Sequence, residues 1–264
     1  MTTAILWFSG TGNSLATAQE LEKRLSGETI LFRLPLESPF DASVYKKILF
    51  VIPVYAWGYP RIVGKELQSL NISDDIYAAL VMTYGGGGGS ALSVTKKRFA
   101  KEGVHLNAGF LLHLPDNYPP MGGAPSQEKI DELLKKSKGK LSDIIDKIEN
   151  SVDGFERSNG VKELLFSAGG PLMYWLFSKM GLPRAGKKFS VNDSCTSCGI
   201  CFQVCPTQNI EIVEGKPMFG SQCEQCFACF HWCPTNAIQY GKTEKQTRYH
   251  HPNVKLSQFI RRKY

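Results

Sequence analysis

The sequence predicts an α/β domain with a parallel sheet covered on both faces, followed by a small α+β domain built around cysteines. Two observations carry this prediction. Residues 1–115 alternate short apolar runs with stretches whose apolar residues recur at three- and four-residue steps. All eight cysteines fall between residues 195 and 233. The chain has 264 residues and a hydrophobic fraction of 42%, which is ordinary for a globular protein with room for two domains.

Five apolar runs in the first part predict strands, and the amphipathic stretches predict helices. The predicted strands are Ile5–Phe8, Ile30–Leu34, Ile48–Tyr55, Ile76–Met82 and His105–Leu114. The predicted helices are Ser14–Leu25, Arg61–Leu70, Ala91–Glu102 and Gln127–Ile148, the last interrupted at Gly139. Only Pro39–Lys47 is left for a helix between the second and third strands, and its helical pattern is poor.

The first predicted strand runs into the loop "FSGTGNS", a glycine- and hydroxyl-rich turn before a helix. Backbone N–H groups and the helix dipole of such a turn favour an anion. A Walker A loop would need a lysine, and a dinucleotide fingerprint would need glycine where Leu15 stands. A terminal phosphate monoester is therefore the expected ligand, with a plain capped helix start as the alternative. The candidate phosphate residues are Ser9, Gly10, Thr11, Gly12, Asn13 and Ser14.

The cysteines form two runs with the same spacing, C-x2-C-x2-C-x3-C-P, which is typical of bacterial [4Fe-4S] ferredoxins. Zinc is the alternative, but a zinc knuckle explains neither the third cysteine nor the fourth before proline. In two-cluster ferredoxins the fourth cysteine ligates the other cluster. One predicted ligand set is Cys195, Cys198, Cys201 and Cys233. The other is Cys223, Cys226, Cys229 and Cys205.

The second run is the more aromatic one, since it contains Phe227, Phe230, His231 and Trp232. Two explanations stay open at this point. These side chains form either a docking face around a drier cluster or the packing of a small domain.

The distribution of charge and the composition of the N-terminal residues indicate where the protein is located and which partners it binds. The formal charge is +7, and residues 241–264 hold most of it. We expect this basic tail to pack back on its own protein, with an acidic partner or nucleic acid as the alternative. Nothing at the N-terminus resembles a targeting peptide, and the apolar stretch 164–180 is broken by glycine and proline. We therefore expect a cytoplasmic protein without a membrane span, in which clustered cysteines bind metal rather than form disulfides.

Residues 191–240 resemble a bacterial two-cluster ferredoxin, and residues 2–150 resemble the flavodoxin family, whose flavin-phosphate loop is similar to "SGTGNS". The second resemblance implies a five-stranded doubly wound sheet in the order 2-1-3-4-5, with FMN at the carboxyl ends of the strands. It also implies flavin contacts in the loops after the third, fourth and fifth strands. These contacts are Pro53, Val54, Tyr55, Ala56, Trp57, Gly58, Thr83, Tyr84, Gly85, Gly86, Asn117 and Tyr118.

Three residue roles in these loops have alternatives. Trp57 is best placed to stack on the flavin, followed by Tyr55, although a tryptophan in such a loop is often a packing residue. His113 is either a proton donor or a strand-end histidine with a structural hydrogen bond. The glycine run Gly85–Gly89 could be a linker, but it lies between two strands of one predicted sheet, so we expect its start, Gly85 and Gly86, to be part of the flavin site. For Gly87–Gly89 two alternatives stay open, slack in the loop or room for a substrate.

Together the motifs resemble a family of flavodoxin–ferredoxin fusion proteins, found mostly in anaerobes. The resemblance implies an FMN domain over 1–160, a helical linker over 161–190, a ferredoxin domain over 191–240 and a basic tail over 241–264. It implies electron transfer between two [4Fe-4S] clusters and FMN, with a ferredoxin or a reductase as partner. The alternative is an FMN-dependent reductase of a quinone, a tetrapyrrole or an enoate. No catalytic residue is assigned, and no second nucleotide motif for NAD(P)H is present.

The cofactors also change the charge balance. Two oxidised clusters with their thiolates and the FMN phosphate bring the formal charge from +7 to about +1. Nucleic-acid binding by the tail is therefore not expected.

Overall fold

The computed structural model describes residues 2–156, 172, 174–176, 179 and 185–260. The chain forms two compact units. The first comprises Met1–Ser9, Asn13–Pro115 and Glu128–Trp175. The second comprises Gly10–Gly12, Asp116–Gln127 and Leu176–Tyr264.

The first unit contains a six-stranded, fully parallel sheet in the order β2-β1-β3-β4-β5-β6. Its strands are β1 (Thr2–Trp7), β2 (Glu28–Arg33), β3 (Lys47–Pro53), β4 (Tyr77–Tyr84), β5 (Ala108–His113) and β6 (Gly154–Phe155). The central strands β1, β3 and β4 are almost entirely buried, as expected when helices cover both faces of a parallel sheet.

Four helices accompany this sheet. They are α1 (Asn13–Arg24), α2 (Arg61–Leu67), α3 (Ala91–Lys101) and α4 (Gln127–Glu149). The crossover β1-α1-β2 runs along the sheet in the opposite direction to the crossovers through α2 and α3, so right-handed connections place α1 on the other face. Helix α4 lies beside α1. Arg24 Nη1 of α1 donates a hydrogen bond to Ser142 Oγ of α4 at 3.1 Å.

Lys47 begins the buried strand β3, and its ammonium group donates hydrogen bonds to the last carbonyl groups of α4. Lys47 Nζ donates to the carbonyl oxygens of Ile148 and Glu149, both at 2.6 Å. The last carbonyls of a helix have no partner within the helix and carry partial negative charge, so a cation is favourable there. Burial lowers the pKa of this lysine. Lys47 therefore attaches α4 to the sheet.

The predicted order of five strands is confirmed, and three details differ. The strand β6 was not predicted, because it is only two residues long and pairs with Ala108 and Gly109 at the sheet edge. The segment between β2 and β3 forms a single 3-10 turn at Ala42–Val44 rather than a helix. Helix α4 continues through Gly139, where an added Cβ would meet no atom within 4 Å.

The described residues of the second unit form two small antiparallel sheets and two short helices. Strand β7 (Phe189–Val191) pairs with β10 (Ile238–Tyr240), and β8 (Ile210–Val213) pairs with β9 (Lys216–Phe219). The helices are α5 (Ile200–Val204) and α6 (Ala228–His231). The sequence repeat predicts a strand after each cysteine run, and β8 and β10 are those strands. Their apolar side chains pack with the cysteines in a common core.

Parts of two predicted segments lie outside the described residues. Most of the linker predicted over 161–190, including Phe177, is among them, as are residues 261–264 of the tail. Of the linker aromatics that are described, Tyr174 is buried and donates its hydroxyl to Tyr59 O at 2.9 Å, whereas Trp175 is 48% exposed. Within the described part of the chain, no helix combines the length and the apolar character that a membrane span requires.

Candidate functional site

The eight cysteines line two separate cavities. One cavity is lined by Cys195, Cys198, Cys201 and Cys233, and the other by Cys205, Cys223, Cys226 and Cys229. These are the two groups of four that the sequence predicts as ligand sets. All eight thiols are free of disulfides. Among the described residues, no three His, Cys, Asp or Glu side chains are arranged around a single metal ion.

Left-handed backbone conformations repeat in the two cysteine runs and explain how each loop wraps its cavity. The runs are related by an offset of 28 residues, from 195 to 223. Equivalent positions have positive φ: Ser197 and Gln225 (57° and 50°), Gly199 and Phe227 (71° and 55°), Gln208 and Asn236 (53° and 54°). Phe227 adopts a conformation that bulky residues rarely adopt.

Backbone amides point at several of the sulfur atoms. Asn209 N donates to Cys205 Sγ at 3.3 Å, and Ala237 N donates to Cys233 Sγ at 3.2 Å. These two bonds are equivalent under the 28-residue repeat. Such donors stabilise negative charge on a ligand sulfur and are one of the factors that set a cluster's potential.

Burial and mutual proximity make these thiols hard to ionise without a cation. Burial, followed by the neighbouring thiols, raises the pKa of Cys201 to about 12. Burial also raises the pKa of Cys226 and Cys229, followed in each case by another cysteine of the same cavity. Four thiolates in one cavity need compensating positive charge, which a cluster core supplies when it replaces the protons. Both sets therefore fit a [4Fe-4S] cluster.

The two cavities differ in exposure. The first includes the exposed Cys198, whereas the second is bounded by the buried Cys205 and Cys229. The aromatic residues of the second run are buried, with Phe230 fully enclosed and Phe227 and Tyr240 packed against it. This burial favours core packing over an exposed docking face for these side chains.

In the first unit, the start of α1 is lined with buried polar groups. Ser14, at the start of α1, and Thr83, near the end of β4, share a hydrogen bond of 2.8 Å between their hydroxyls. Asn13 Nδ2 donates to Pro115 O at 2.9 Å, and Ser9 is 4% exposed. No acidic residue lies in the first turn of α1. These hydroxyls at a helix N-terminus fit a phosphate monoester.

The loop after β3 forms a tight turn over residues 55–58. Tyr55 N and Gly58 N each donate to the other's carbonyl oxygen, at 3.0 and 2.9 Å. The central residues Ala56 and Trp57 have φ of 47° and 59°, as in a type I′ turn that normally takes Asn or Gly. Strain of this kind clusters at functional loops.

The structure brings Trp57 and the glycine run together within the first unit. A Cβ built on Gly89 would lie 2.2 Å from Trp57 Cδ1, so only glycine fits beneath the half-buried indole. The same run is held at its start by His113, whose Nε2 lies 2.9 Å from Gly85 O and whose ring stacks on Tyr84 at 4.9 Å. Of the two roles that the sequence leaves open for His113, the structure therefore favours the strand-end histidine with a structural hydrogen bond.

In the second unit, the Gly10–Gly12 part of the phosphate loop packs on the second cysteine run. A Cβ built on Gly10 would lie 2.0 Å from the carbonyl oxygen of Cys226. Trp232 Nε1 donates to Gly10 O at 3.2 Å. Contacts of this loop with a cluster-binding segment were not predicted, and the only sequence signal was the aromatic content of the second run.

Asn117 and Tyr118 contact the same run. Asn117 Nδ2 donates to the Thr11 hydroxyl, and Asn117 O accepts from His231 Nε2 at 2.8 Å. Tyr118 donates its hydroxyl to Gln225 Oε1 at 2.7 Å. Burial, followed by the charge of Cys223, raises the pKa of Tyr118.

The tail packs back on the second unit, as the sequence predicts. The Arg248 guanidinium lies 3.3 Å from the centre of the Phe230 ring, and its Nη1 donates to Phe230 O at 2.8 Å. Its Nη2 donates to Asn236 O and Ile238 O at 3.1 and 2.9 Å. Further along, His251 N donates to Thr11 O at 2.8 Å.

Strand order and motif together define the class of protein. A parallel sheet in the order β2-β1-β3-β4-β5 is that of a flavodoxin-like α/β domain. Residues 191–211 match the family described as 4Fe-4S binding domain. The chain therefore joins a flavodoxin-like α/β domain to a ferredoxin domain that matches a 4Fe-4S binding family.

Several solved structures are similar to part of the chain. A two-electron reduced flavodoxin from Megasphaera elsdenii has 20% identity and a TM-score of 0.29, with 42% of this chain and 85% of that chain covered. An azoreductase from Bacillus anthracis has 12% identity and a TM-score of 0.36, with 56% and 100% covered. A flavodoxin from Streptococcus pneumoniae has 12% identity and a TM-score of 0.32, with 55% and 99% covered. No curated protein matches the sequence.

Proposed function

We propose that this protein transfers electrons between two [4Fe-4S] clusters and a bound FMN, and so links a one-electron redox partner to a two-electron carrier. The observation that carries the proposal is the packing of Gly10 on the carbonyl oxygen of Cys226. Gly10 belongs to the predicted flavin-phosphate loop, and Cys226 is a predicted ligand of the second cluster. Direct backbone contact between these two segments supports electron exchange within one molecule.

A separate group of predicted residues would hold each cofactor. The first cluster would be held by Cys195, Cys198, Cys201 and Cys233, and the second by Cys205, Cys223, Cys226 and Cys229. The FMN phosphate would be held by the hydroxyls and amides of residues 9–14, and Trp57 would stack on the flavin ring. Bound FMN supplies a carrier of two electrons, whereas each cluster carries one.

The difference in exposure supports a direction for this transfer. The exposed Cys198 would make the first cluster the one that a partner protein reaches, and Cys226 of the second ligand set lies against Gly10 of the predicted phosphate loop. The proposed partner is a ferredoxin or a reductase, located with this protein in the cytoplasm.

Anaerobic reconstitution tests the proposal. We expect about eight irons, about eight sulfides and one FMN per chain. Reduction by ferredoxin should be faster than reduction by NAD(P)H, because the sequence contains no second nucleotide motif. Tightly bound zinc, or no flavin uptake, would contradict the cofactor assignment.

An acceptor screen separates the carrier from the reductase. Electron transfer to redox proteins alone supports the carrier. Multiple turnovers of a quinone, a tetrapyrrole or an enoate would instead identify an FMN-dependent reductase.

A further inference from the structure

We propose that Trp232 and His231 are positioning residues for the flavin-phosphate loop, so that selective binding of the FMN phosphate depends on the second cluster being in place. This inference rests on the proposed function and adds to it that one cofactor prepares the site of the other. The residues that carry it all lie in the second unit.

Trp232 fixes the orientation of one peptide group in the loop. Its indole is 7% exposed and stacks on His250, with ring centres 4.4 Å apart and an interplanar angle of 9°. Phe259 packs nearby at 5.1 Å. The indole N–H can therefore point in only one direction, and it donates to Gly10 O at 3.2 Å.

Holding the Gly10 carbonyl also orients the next amide. In a trans peptide the C=O and the following N–H point in opposite directions. The bond from Trp232 to Gly10 O thus turns Thr11 N–H away from Trp232, and the bond from His251 N to Thr11 O fixes the peptide group that follows Thr11. Oriented backbone amides in such a loop are the groups that bind a phosphate.

His231 fixes a side chain of the same loop through Asn117. Tyr249 N donates to His231 Nδ1 at 3.0 Å, so the ring proton is on Nε2, which lies 2.8 Å from Asn117 O. Asn117 Nδ2 in turn donates to the Thr11 hydroxyl oxygen. Because this oxygen accepts one hydrogen bond, its own proton remains available to donate to another acceptor, such as a phosphate oxygen.

The second cluster holds this segment through two of its ligands. Gly10 rests on Cys226, and His231 and Trp232 follow Cys229, whereas Cys233 on their other side belongs to the first ligand set. A small segment of this kind gains much of its folding energy from its metal cluster. Loss of the second cluster therefore releases both the Gly10 contact and the start of the His231–Trp232 segment, whereas loss of the first cluster removes only the anchor at Cys233 and has the smaller effect.

The test compares FMN with riboflavin, which lacks the phosphate, on full-length protein that carries its clusters but has been freed of flavin. In the Trp232→Phe variant, which keeps an aromatic ring but loses the N–H, we expect the FMN dissociation constant to rise about fivefold and that of riboflavin to stay constant. His231→Leu should behave in the same way, and His231→Gln should restore FMN binding because its amide can replace Nε2. Trp175→Phe, at an exposed position, is the matched control.

A second pair of variants tests the dependence on the cluster. Cys226→Ala should abolish the preference for FMN over riboflavin, and Cys198→Ala should keep it, with iron content measured in both. The inference is overturned if Trp232→Phe weakens FMN and riboflavin equally or leaves both unchanged, or if the two cysteine variants behave alike. Failure of the wild-type holoprotein to take up FMN would instead overturn the proposed function itself.

Discussion

The Cα atom of Gly10 faces the backbone carbonyl of Cys226 so closely that a Cβ added to Gly10 would lie 2.0 Å from its oxygen. Real Cβ atoms do not approach an atom this closely, and neither partner is a flexible side chain that could move away. Glycine is thus required at residue 10 by a neighbour more than 200 residues away in sequence. This contact joins the two cofactor-binding motifs.

Gly10→Ala is expected to separate the phosphate loop from the second cysteine run. Overpacking of this kind typically costs about 1–3 kcal/mol, so both the thermal midpoint and the FMN affinity should fall. Gly139→Ala is the matched control, because an added Cβ there meets open space in a helix and should stabilise the protein slightly. Equal behaviour of the two variants in thermal unfolding and flavin titration would contradict the contact.

Trp57→Ala is expected to weaken FMN binding and leave both clusters intact. The indole lies over Gly89 on a strained turn, where it can present a flat apolar surface. Loss of ring stacking is worth about 1 kcal/mol or more, which is a five- to tenfold change in the dissociation constant. Trp57→Phe should retain most of the affinity. If flavin fluorescence titration gives equal affinities for Trp57→Ala and the wild type, the stacking role belongs to another residue.

Arg248→Gln is expected to make the clusters harder to reduce. The guanidinium interacts electrostatically with Cys233 and Cys229, which belong to different cavities. Reduction adds negative charge to a cluster, so a nearby positive charge favours the reduced state and its removal lowers the potential. Redox titration followed by electron paramagnetic resonance measures the change. Arg24→Gln, on helix α1, is the control, and identical potentials for both variants would argue against the tuning role.

Acid is expected to loosen the tail at His251. Burial lowers the pKa of His251 from its ordinary value of 6.5 to about 4. The unfolded tail binds the proton more readily than the folded tail does. The contribution of neutral His251 to the free energy of unfolding is therefore fully present above pH 6.5 and is lost as the pH falls toward 4. This contribution is on the order of 3 kcal/mol.

Hydrogen exchange of residues 248–259 measures this release. Protection should fall between pH 6.5 and 4 in the wild type, and His251→Phe should remove that pH dependence. A pH profile that is unchanged by the substitution would assign the release to other groups.

Features encoded locally could be predicted from the sequence. The strands and helices of the first unit followed from apolar runs that alternate with amphipathic stretches, and the strand order was implied by the flavodoxin resemblance. The two groups of four cysteines followed from their spacing. The strand β6 could not be found in this way, because two residues carry no periodicity. The strained turn at Ala56 and Trp57 was also hidden, since neither residue is one that normally marks positive φ.

Contacts between distant segments could not be predicted, because no local pattern encodes them. The hydrogen bond from Trp232 to Gly10 joins residues 222 positions apart. The sequence predicts that the tail packs back on the protein, but it does not reveal the partners. Arg248 contacts Phe230 and His251 contacts Thr11, and these pairs meet only once the second unit has folded. Phe227 replaces the glycine of the first run, Gly199, at a left-handed position, and its ring packs against Tyr118. Tertiary packing explains this exception to local preference.

The most direct test of electron exchange within one molecule is a stopped-flow experiment on the anaerobic holoprotein. The clusters are reduced rapidly by a limiting amount of reductant, and the flavin absorbance is followed at several protein concentrations. We predict that the flavin is reduced at a rate independent of protein concentration, and that Gly10→Ala slows this rate. A rate that rises in proportion to protein concentration would show that electrons pass between molecules, and it would contradict the proposed link from the second cluster to FMN.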